Sequence, residues 1–317
     1  MNNIISYYCE FINTREFREN SNIKEGFAGS LSMIKSFYDN DFYGAIARRG
    51  FGYSEIISRL NLRHITITES PYKWGELSFS FKEKRLLYNN FIGKEIVKYF
   101  KSFKEINFPF NIFENSQFRA SHFQLRGTEN NRVNYKDILD YFRDFISISN
   151  NQNDIQIRDY TNQYFKSFKD NNDNRLPTHN DILPHIIKAF NFIVAIEVPT
   201  YKYISQINRF YTGHIDLLGV NNNLITIYDL KRNMSQVLKA IPQLFCYYCL
   251  LDHSLNLINP HHNYEIRCVG FTPSEVFKID CSSLKNPILD FIKRNSHIKG
   301  RFTDISFFKA FNELFLN

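Results

Sequence analysis

Apolar and polar positions change their period several times along the chain, and each change marks an element. His64–Thr68 and Glu76–Phe81 alternate apolar and polar residues as half-buried strands do, with Pro71 and Gly75 supplying a turn between them. Asn90–Phe103 then takes helical spacing. Ile92, Ile96, Val97, Phe100 and Phe103 make its apolar stripe, and Lys94, Lys98 and Lys101 fall at i, i+4 and i+7 on one shared face. A second helix is expected over Asp137–Ile148. From Ser149 to Asn180 the apolar rhythm fades. Asn150–Asp154 and Lys169–Asn174 are runs of Asn, Asp, Gln and Lys that bury little surface, so the segment reads as a polar linker with room for a short helix at Asp159–Phe168.

The second half is more regular. Asp181 is the expected cap of a helix with Pro184 in its first turn, running to about Phe190. Strands follow at Ile193–Tyr203 and Phe210–Gly219, then a turn at Asn221–Asn223 and a strand at Leu224–Leu230. A helix over Ser235–Asp252, strands at Arg267–Phe271 and Val276–Ile279, and helices at Pro287–Arg294 and Ser306–Phe315 complete the pattern. The order implies an α/β fold in which a mixed central β-sheet is flanked by helices. Three regions are expected: an N-terminal α+β part (1–150) that could contact DNA, the polar linker (151–180) and the core (181–317).

Composition narrows the class. With 43% hydrophobic and 22% charged residues the chain resembles soluble globular proteins, and no apolar run reaches the ~18–20 residues of a membrane span. No membrane partner is therefore expected. Glu10, Glu16 and Glu19 argue against a secretory signal, and five scattered cysteines argue against a disulfide framework. The expected setting is intracellular and reducing: cytoplasm or nucleoid, with an organelle such as the mitochondrion left open. A net charge of +7 suits a polyanionic partner. That signal carries little alone, because 32 Phe and 19 Tyr beside 12 Gly and 1 Trp suggest AT-rich coding.

One segment carries chemistry. Gly213-His214-Ile215-Asp216 ends one strand pattern, and Asp229-Leu230-Lys231 ends the next. Residues i and i+2 of a strand share a face, so Asp229 and Lys231 point together, and the Asn turn folds Asp216 alongside them. Two carboxylates can hold a hard divalent cation, and a neighbouring lysine can orient water and stabilise developing negative charge. A solvated hairpin with Asp216 paired to Lys231 would explain these three residues as well. It leaves Gln243 unexplained, a polar residue facing Tyr247 at i+4 on an otherwise apolar helix.

These residues resemble the PD-(D/E)XK nuclease superfamily, its RecB-like branch, and most closely the mitochondrial genome maintenance exonuclease group. In that group a Gly-x-x-Asp strand end precedes an Asp-x-Lys strand and a helix bearing Gln and Tyr four residues apart, here Gln243 and Tyr247. A glutamate on the preceding strand matches Glu197. Ile215 replaces the eponymous proline, and Asp229 stands where glutamate is commoner. The resemblance covers Pro177–Asp280. It implies Mg²⁺ or Mn²⁺ held by Asp216, Asp229, the Leu230 carbonyl and Glu197, with His185 as the upstream histidine and His179 competing for that place. Catalytic roles would fall to Asp216, Asp229, Lys231, Glu197, Gln243 and Tyr247.

DNA, as single strands or duplex ends, is the implied partner and exonucleolytic hydrolysis the implied activity. An endonuclease of a restriction, transposition or phage-defence system, or a non-catalytic nucleic-acid-binding protein, are the alternatives. Lys239, Arg232, Lys94, Lys98 and Lys101 are the candidate nucleic-acid contacts, each weighed against an ordinary solvated face. Cys246, Cys249, Cys268 and Cys281 read as small core residues in preference to cluster ligands, and Pro260-His261-His262 as a turn.

Overall fold

A computed structural model of the protein describes residues 77–88, 90–103, 111–114, 118–125, 134–205, 208–260 and 264–295, with short pieces at 27–28, 63–64, 66–67 and 72–74 and the single residue Phe311. The expected closing helix at Ser306–Phe315 (Phe311 apart) and the His261–His262 pair lie outside the described residues. Two compact units emerge, Met1–Ser80 with Pro109–Glu114, and Phe81–Phe108 with Asn115–Asn317. The division therefore falls near Ser80, not in the polar stretch. In the first unit, Phe27–Ala28 pairs in parallel with Arg63–His64; Thr66–Ile67, Tyr72–Trp74 and Leu77–Phe81, the last of which ends one residue past the division, form an antiparallel meander.

The second unit opens with helices α1 (Glu83–Tyr88) and α2 (Asn90–Ser102). Then come strand β1 (Phe118–Arg119), helix α3 (Tyr135–Phe142), strand β2 (Ile146–Ile148) and helices α4 (Gln152–Asn171) and α5 (His179–Ala189). Strands β3 (Ile193–Ile204), β4 (Arg209–Asn221) and β5 (Leu224–Leu230) follow, then helices α6 (Met234–Lys239) and α7 (Ile241–Ile258). Strands β6 (Glu265–Phe271) and β7 (Val276–Ile279) and helix α8 (Lys285–Arg294) end it. The sheet runs β3-β4-β5-β6-β7-β2. Only the β5–β6 pairing in that path is parallel, and the α6–α7 crossover makes it possible. The expected mixed, helix-flanked sheet is what forms.

Alternation sorts the two faces. Val269 belongs to one buried cluster with Ile157 and Phe165 of α4, Ile182 and Ile186 of α5, and Leu217 and Tyr228 of the sheet. Its neighbour Cys268 points the other way, its thiol reaching the Leu244 carbonyl of α7. The sheet thus lies between α4/α5 and α7. Each fully buried Ile or Leu in these layers contributes roughly 1.5–3 kcal/mol.

Three expectations need correction. The stretch expected as a linker over 151–180 contains α4, a 20-residue helix. Asn151 caps it by accepting from the Asn153 N–H, and Asp154, Ile157, Thr161 and Phe165 are its buried stripe. These four buried residues, with Tyr160 and Tyr164 half-buried beside them, dock it, and the polar remainder makes the window look like a linker. Asp154 anchors its first turn, accepting from Ser149, from the Tyr228 hydroxyl at 2.9 Å and from Arg267 at 2.8 Å. The helix expected over Asp137–Ile148 stops at Phe142, and Ile146–Ile148 becomes the edge strand beside β7. Ile146 and Ile148, both β-branched, suit that edge better than a helix. Finally, α5 begins at His179, with Thr178 as its cap and Asp181 accepting from the Thr178 N–H at 2.7 Å. Pro184 therefore lies inside the helix.

Among the described residues no helix is long and apolar enough to cross a membrane. Cys246, Cys249, Cys268 and Cys281 are free.

Candidate metal centre

The centre forms where β4 and β5 part. A two-residue turn, with Asn222 in the left-handed region at φ 51°, sets the register so that Leu224 faces Asn221 and Tyr228 faces Leu217. One step further brings Asp229 opposite Asp216, but there the ladder ends. The Leu230 N–H, which would have gone to β4 main chain, donates instead to Asp216 Oδ2 at 2.8 Å. Beyond the fork, β1 takes the place of β5 along β4, pairing Phe118 with Tyr211.

Glu197 arrives from the other side. Its neighbours pair as Ile196 with Leu217 and Val198 with Ile215, so Glu197 stands across from Asp216. Its φ is 52°, a left-handed conformation that costs a side chain of this size about 1–2 kcal/mol. Such strain persists only where packing over-determines it, and here it lies on a residue of the centre.

The side chains converge. His179 Nδ1 is 3.5 Å from Asp216 Oδ1, and ligand atoms of His179, Glu197 and Asp216 all lie within 4.8 Å of one another. Lys231 Nζ is 2.6 Å from Asp229 Oδ2, as their i, i+2 spacing implies. Gln243 Nε2 donates to the Tyr247 hydroxyl at 2.8 Å and lies 3.5 Å from Asp229 Oδ1. Asp216, Asp229, Gln243 and Tyr247 are all buried.

Burying three carboxylates together disfavours their charge. Burial, seconded by Asp216, raises Glu197 to about 7. Asp229 is raised to about 6, again by burial first, with Lys231 pulling down and Asp216 pushing up. Burial would raise Asp216 too, but His179, Lys231 and the Leu230 N–H outweigh it and hold its carboxyl below the usual range. His179 is raised to about 9, chiefly by Asp216. Burial carries the Tyr247 phenol well above its ordinary value, so it remains a proton donor at neutral pH. His179, Glu197 and Asp216 crowd closely enough to form a group able to hold a metal ion, which would displace the protons kept by Glu197 and His179.

Gly213 has a packing role. A Cβ there would sit 2.8 Å from Tyr247 Cε1 and 3.1 Å from Thr200 Oγ1, so the tyrosine ring needs a glycine beneath it.

Not every candidate is brought here. His185 is exposed and rests 5.0 Å from the Tyr164 ring, away from the carboxylates; His179, one and a half turns earlier and at the helix start, meets Asp216 instead. Lys239 closes α6 and Gln243 belongs to α7, so the one-helix face expected to join them is interrupted at Ala240. Arg232 is exposed after the fork. Lys94, Lys98 and Lys101 do share an exposed face of α2, with Lys101 held by Glu83 at 2.6 Å. Among the described residues the cysteines form no metal-ligating group.

Two contributors escaped the sequence reading. The Leu230 N–H is a main-chain group, visible only once the strands are seen to part. Gln124 donates to Gln243 Oε1 at 2.9 Å from 119 residues away, and no local pattern marks it. Comparison with protein-family models gives no match for this chain, and neither do comparisons with curated proteins and with solved structures.

Proposed function

We propose that this chain is a Mg²⁺- or Mn²⁺-dependent deoxyribonuclease of the PD-(D/E)XK type, in its RecB-like branch, hydrolysing phosphodiester bonds at DNA strand ends. The observation that carries the reading is the meeting of Glu197, Asp216, Asp229 and Lys231 at one strand fork, with Gln243 and Tyr247 closing on Asp229. An ordinary solvated hairpin has no reason to bury Asp229 completely, nor to spend a left-handed glutamate on it.

Asp216, Asp229 and Glu197 would hold the cation, with His179 taking the place first given to His185. The Leu230 carbonyl is a further candidate, because a strand residue's N–H and C=O point to the same edge and the Leu230 N–H points into the fork. A divalent ion held by these residues would make water in the site more acidic and would neutralise charge on the scissile phosphate. Lys231 would orient the attacking water and donate to the phosphate as negative charge grows on its oxygens. Tyr247, kept protonated by burial, would donate to the same oxygens, and Gln243 would hold Tyr247 and Asp229 in place. Lys94, Lys98, Lys239 and Arg232 are candidate contacts to the DNA backbone, as Lys101 would be on leaving Glu83.

The test is cleavage of labelled single- and double-stranded linear DNA and of a supercoiled circle, with Mg²⁺ or Mn²⁺. Shortening of linear strands with the closed circle intact is expected, and Lys231→Ala should lower the rate by about 10²-fold or more. Opening of the circle would move the assignment to the endonuclease alternative. Metal binding without any cleavage would leave a non-catalytic nucleic-acid-binding protein, and full activity in Lys231→Ala would remove the mechanism.

A further inference from the structure

Gln243 has one carbonyl and one amino group, and its partners fix which faces which. Gln124 Nε2 donates to Gln243 Oε1 at 2.9 Å, and Gln243 Nε2 in turn donates to the Tyr247 oxygen at 2.8 Å. Since the phenolic oxygen is already an acceptor, its proton must point elsewhere, and among the described residues no acceptor for it is found. Three hydrogen-bonding groups are thus strung in one direction: amide N–H, amide N–H, then a buried phenolic O–H left over. The opposite direction would turn the Gln243 carbonyl toward the Asp229 carboxylate and use up the tyrosine proton.

The segment bearing Gln124 is built to hold that direction. Phe123 and Leu125 on either side are fully buried. Phe123 packs 5.0 Å from the Tyr211 ring, and the Leu125 N–H donates to the Lys239 carbonyl at 2.8 Å, just before α7 begins. Strand β1 ties the same segment to β4 at Tyr211 and Thr212. Gln124 therefore enters from a rigid stretch, although it lies far from the carboxylates in sequence.

We propose that Gln124 is a positioning residue, which orients the Gln243 amide so that Tyr247 presents its O–H to an anionic oxygen of the substrate. This rests on the nuclease reading above for what the substrate is. The ligand chemistry is that of a phosphodiester oxygen gaining negative charge, for which a preorganised neutral donor in a buried site is well suited.

Two substitutions of similar size separate orientation from packing. Gln124→Glu has acceptors only and, when ionised, draws the Gln243 amino group toward itself, reversing the chain. Gln124→Lys has donors only and preserves it. Steady-state cleavage with Mn²⁺ should show kcat of Gln124→Glu lowered by about tenfold at unchanged KM, with Gln124→Lys within about threefold of wild type. Thermal melting of both variants accompanies the kinetics. Equal losses in the two variants, or no loss in either, would overturn the inference. A second readout does not need turnover: the Gln243 side-chain amide ¹H–¹⁵N resonances, assigned through Gln243→Asn, should move in Gln124→Glu and stay near their wild-type positions in Gln124→Lys. If the wild type cuts no DNA, the nuclease reading falls by itself. The orientation is then judged on those resonances, and their staying fixed in Gln124→Glu sinks it.

Discussion

Replacing Gly213 by alanine tests the packing that brings Tyr247 to the carboxylates. The added Cβ would lie 2.8 and 2.9 Å from two ring carbons of Tyr247, about 0.6 Å inside ordinary contact. No positive φ is involved at Gly213, so the cost comes from contacts, chiefly with the Tyr247 ring and in smaller part with Thr200 Oγ1 at 3.1 Å. Strand β4 is fixed by β3 on one edge and β1 on the other, so the ring has to give way. Tyr247 is buried, and its hydroxyl sits 2.8 Å from Gln243 Nε2; a retreat of that size stretches the hydrogen bond beyond useful length. Overpacking costs about 1–3 kcal/mol and the weakened hydrogen bond about 1 kcal/mol, so Gly213→Ala should destabilise by about 2–4 kcal/mol. Urea denaturation measures this directly. Tyr247→Leu removes the ring, so a double-mutant cycle should return a coupling of about 1 kcal/mol or more between the two sites. A Gly213→Ala protein within about 0.5 kcal/mol of wild type, or strictly additive effects, would refute the reasoning.

Other expectations follow from the same geometry. Asp154→Ala leaves the Tyr228 hydroxyl and the nearly buried Arg267 guanidinium without their shared acceptor, and should cost about 3–5 kcal/mol in urea denaturation; a loss below about 1 kcal/mol would mean that α4 is not anchored there. His179→Ala should weaken Mn²⁺ binding by about tenfold in calorimetry while His185→Ala leaves it unchanged, and the reverse ranking would exchange their roles. In the metal-free protein Glu197 and Asp229 keep protons that the unfolded chain has already released, so stability falls as pH rises from their ordinary values near 4 through about 6 and about 7. His179 extends the decline from its ordinary value of 6.5 up to about 9, because its stabilisation is complete only below the ordinary histidine range and is lost as pH rises through its raised value. Urea midpoints across this range should show a shallower decline between about 4.5 and about 7 for Glu197→Gln, and an unchanged slope would show that Glu197 is not protonated there.

The sequence by itself determined the parts that depend on neighbours along the chain. Asp229 and Lys231 share a face because a strand repeats every two residues, and a short Asn turn between two strands leaves few registers, one of which sets Asp216 against Asp229. Strands β5 and β7 lie where their apolar patterns end, for the same reason. Only the tertiary structure decided the rest. A helix such as α4 with four inward residues in twenty looks like a linker until the sheet that buries Ile157 and Phe165 is present. His179 outranks His185 because the helix start delivers it to Asp216, and a choice between two histidines one and a half turns apart depends on where the neighbouring strand lies. Gln124 meets Gln243 across 119 residues through one pair of amide groups. Periodicity records which face a residue takes on its own element; which other element meets that face is settled by packing across the whole unit, and short-range pattern carries no trace of it.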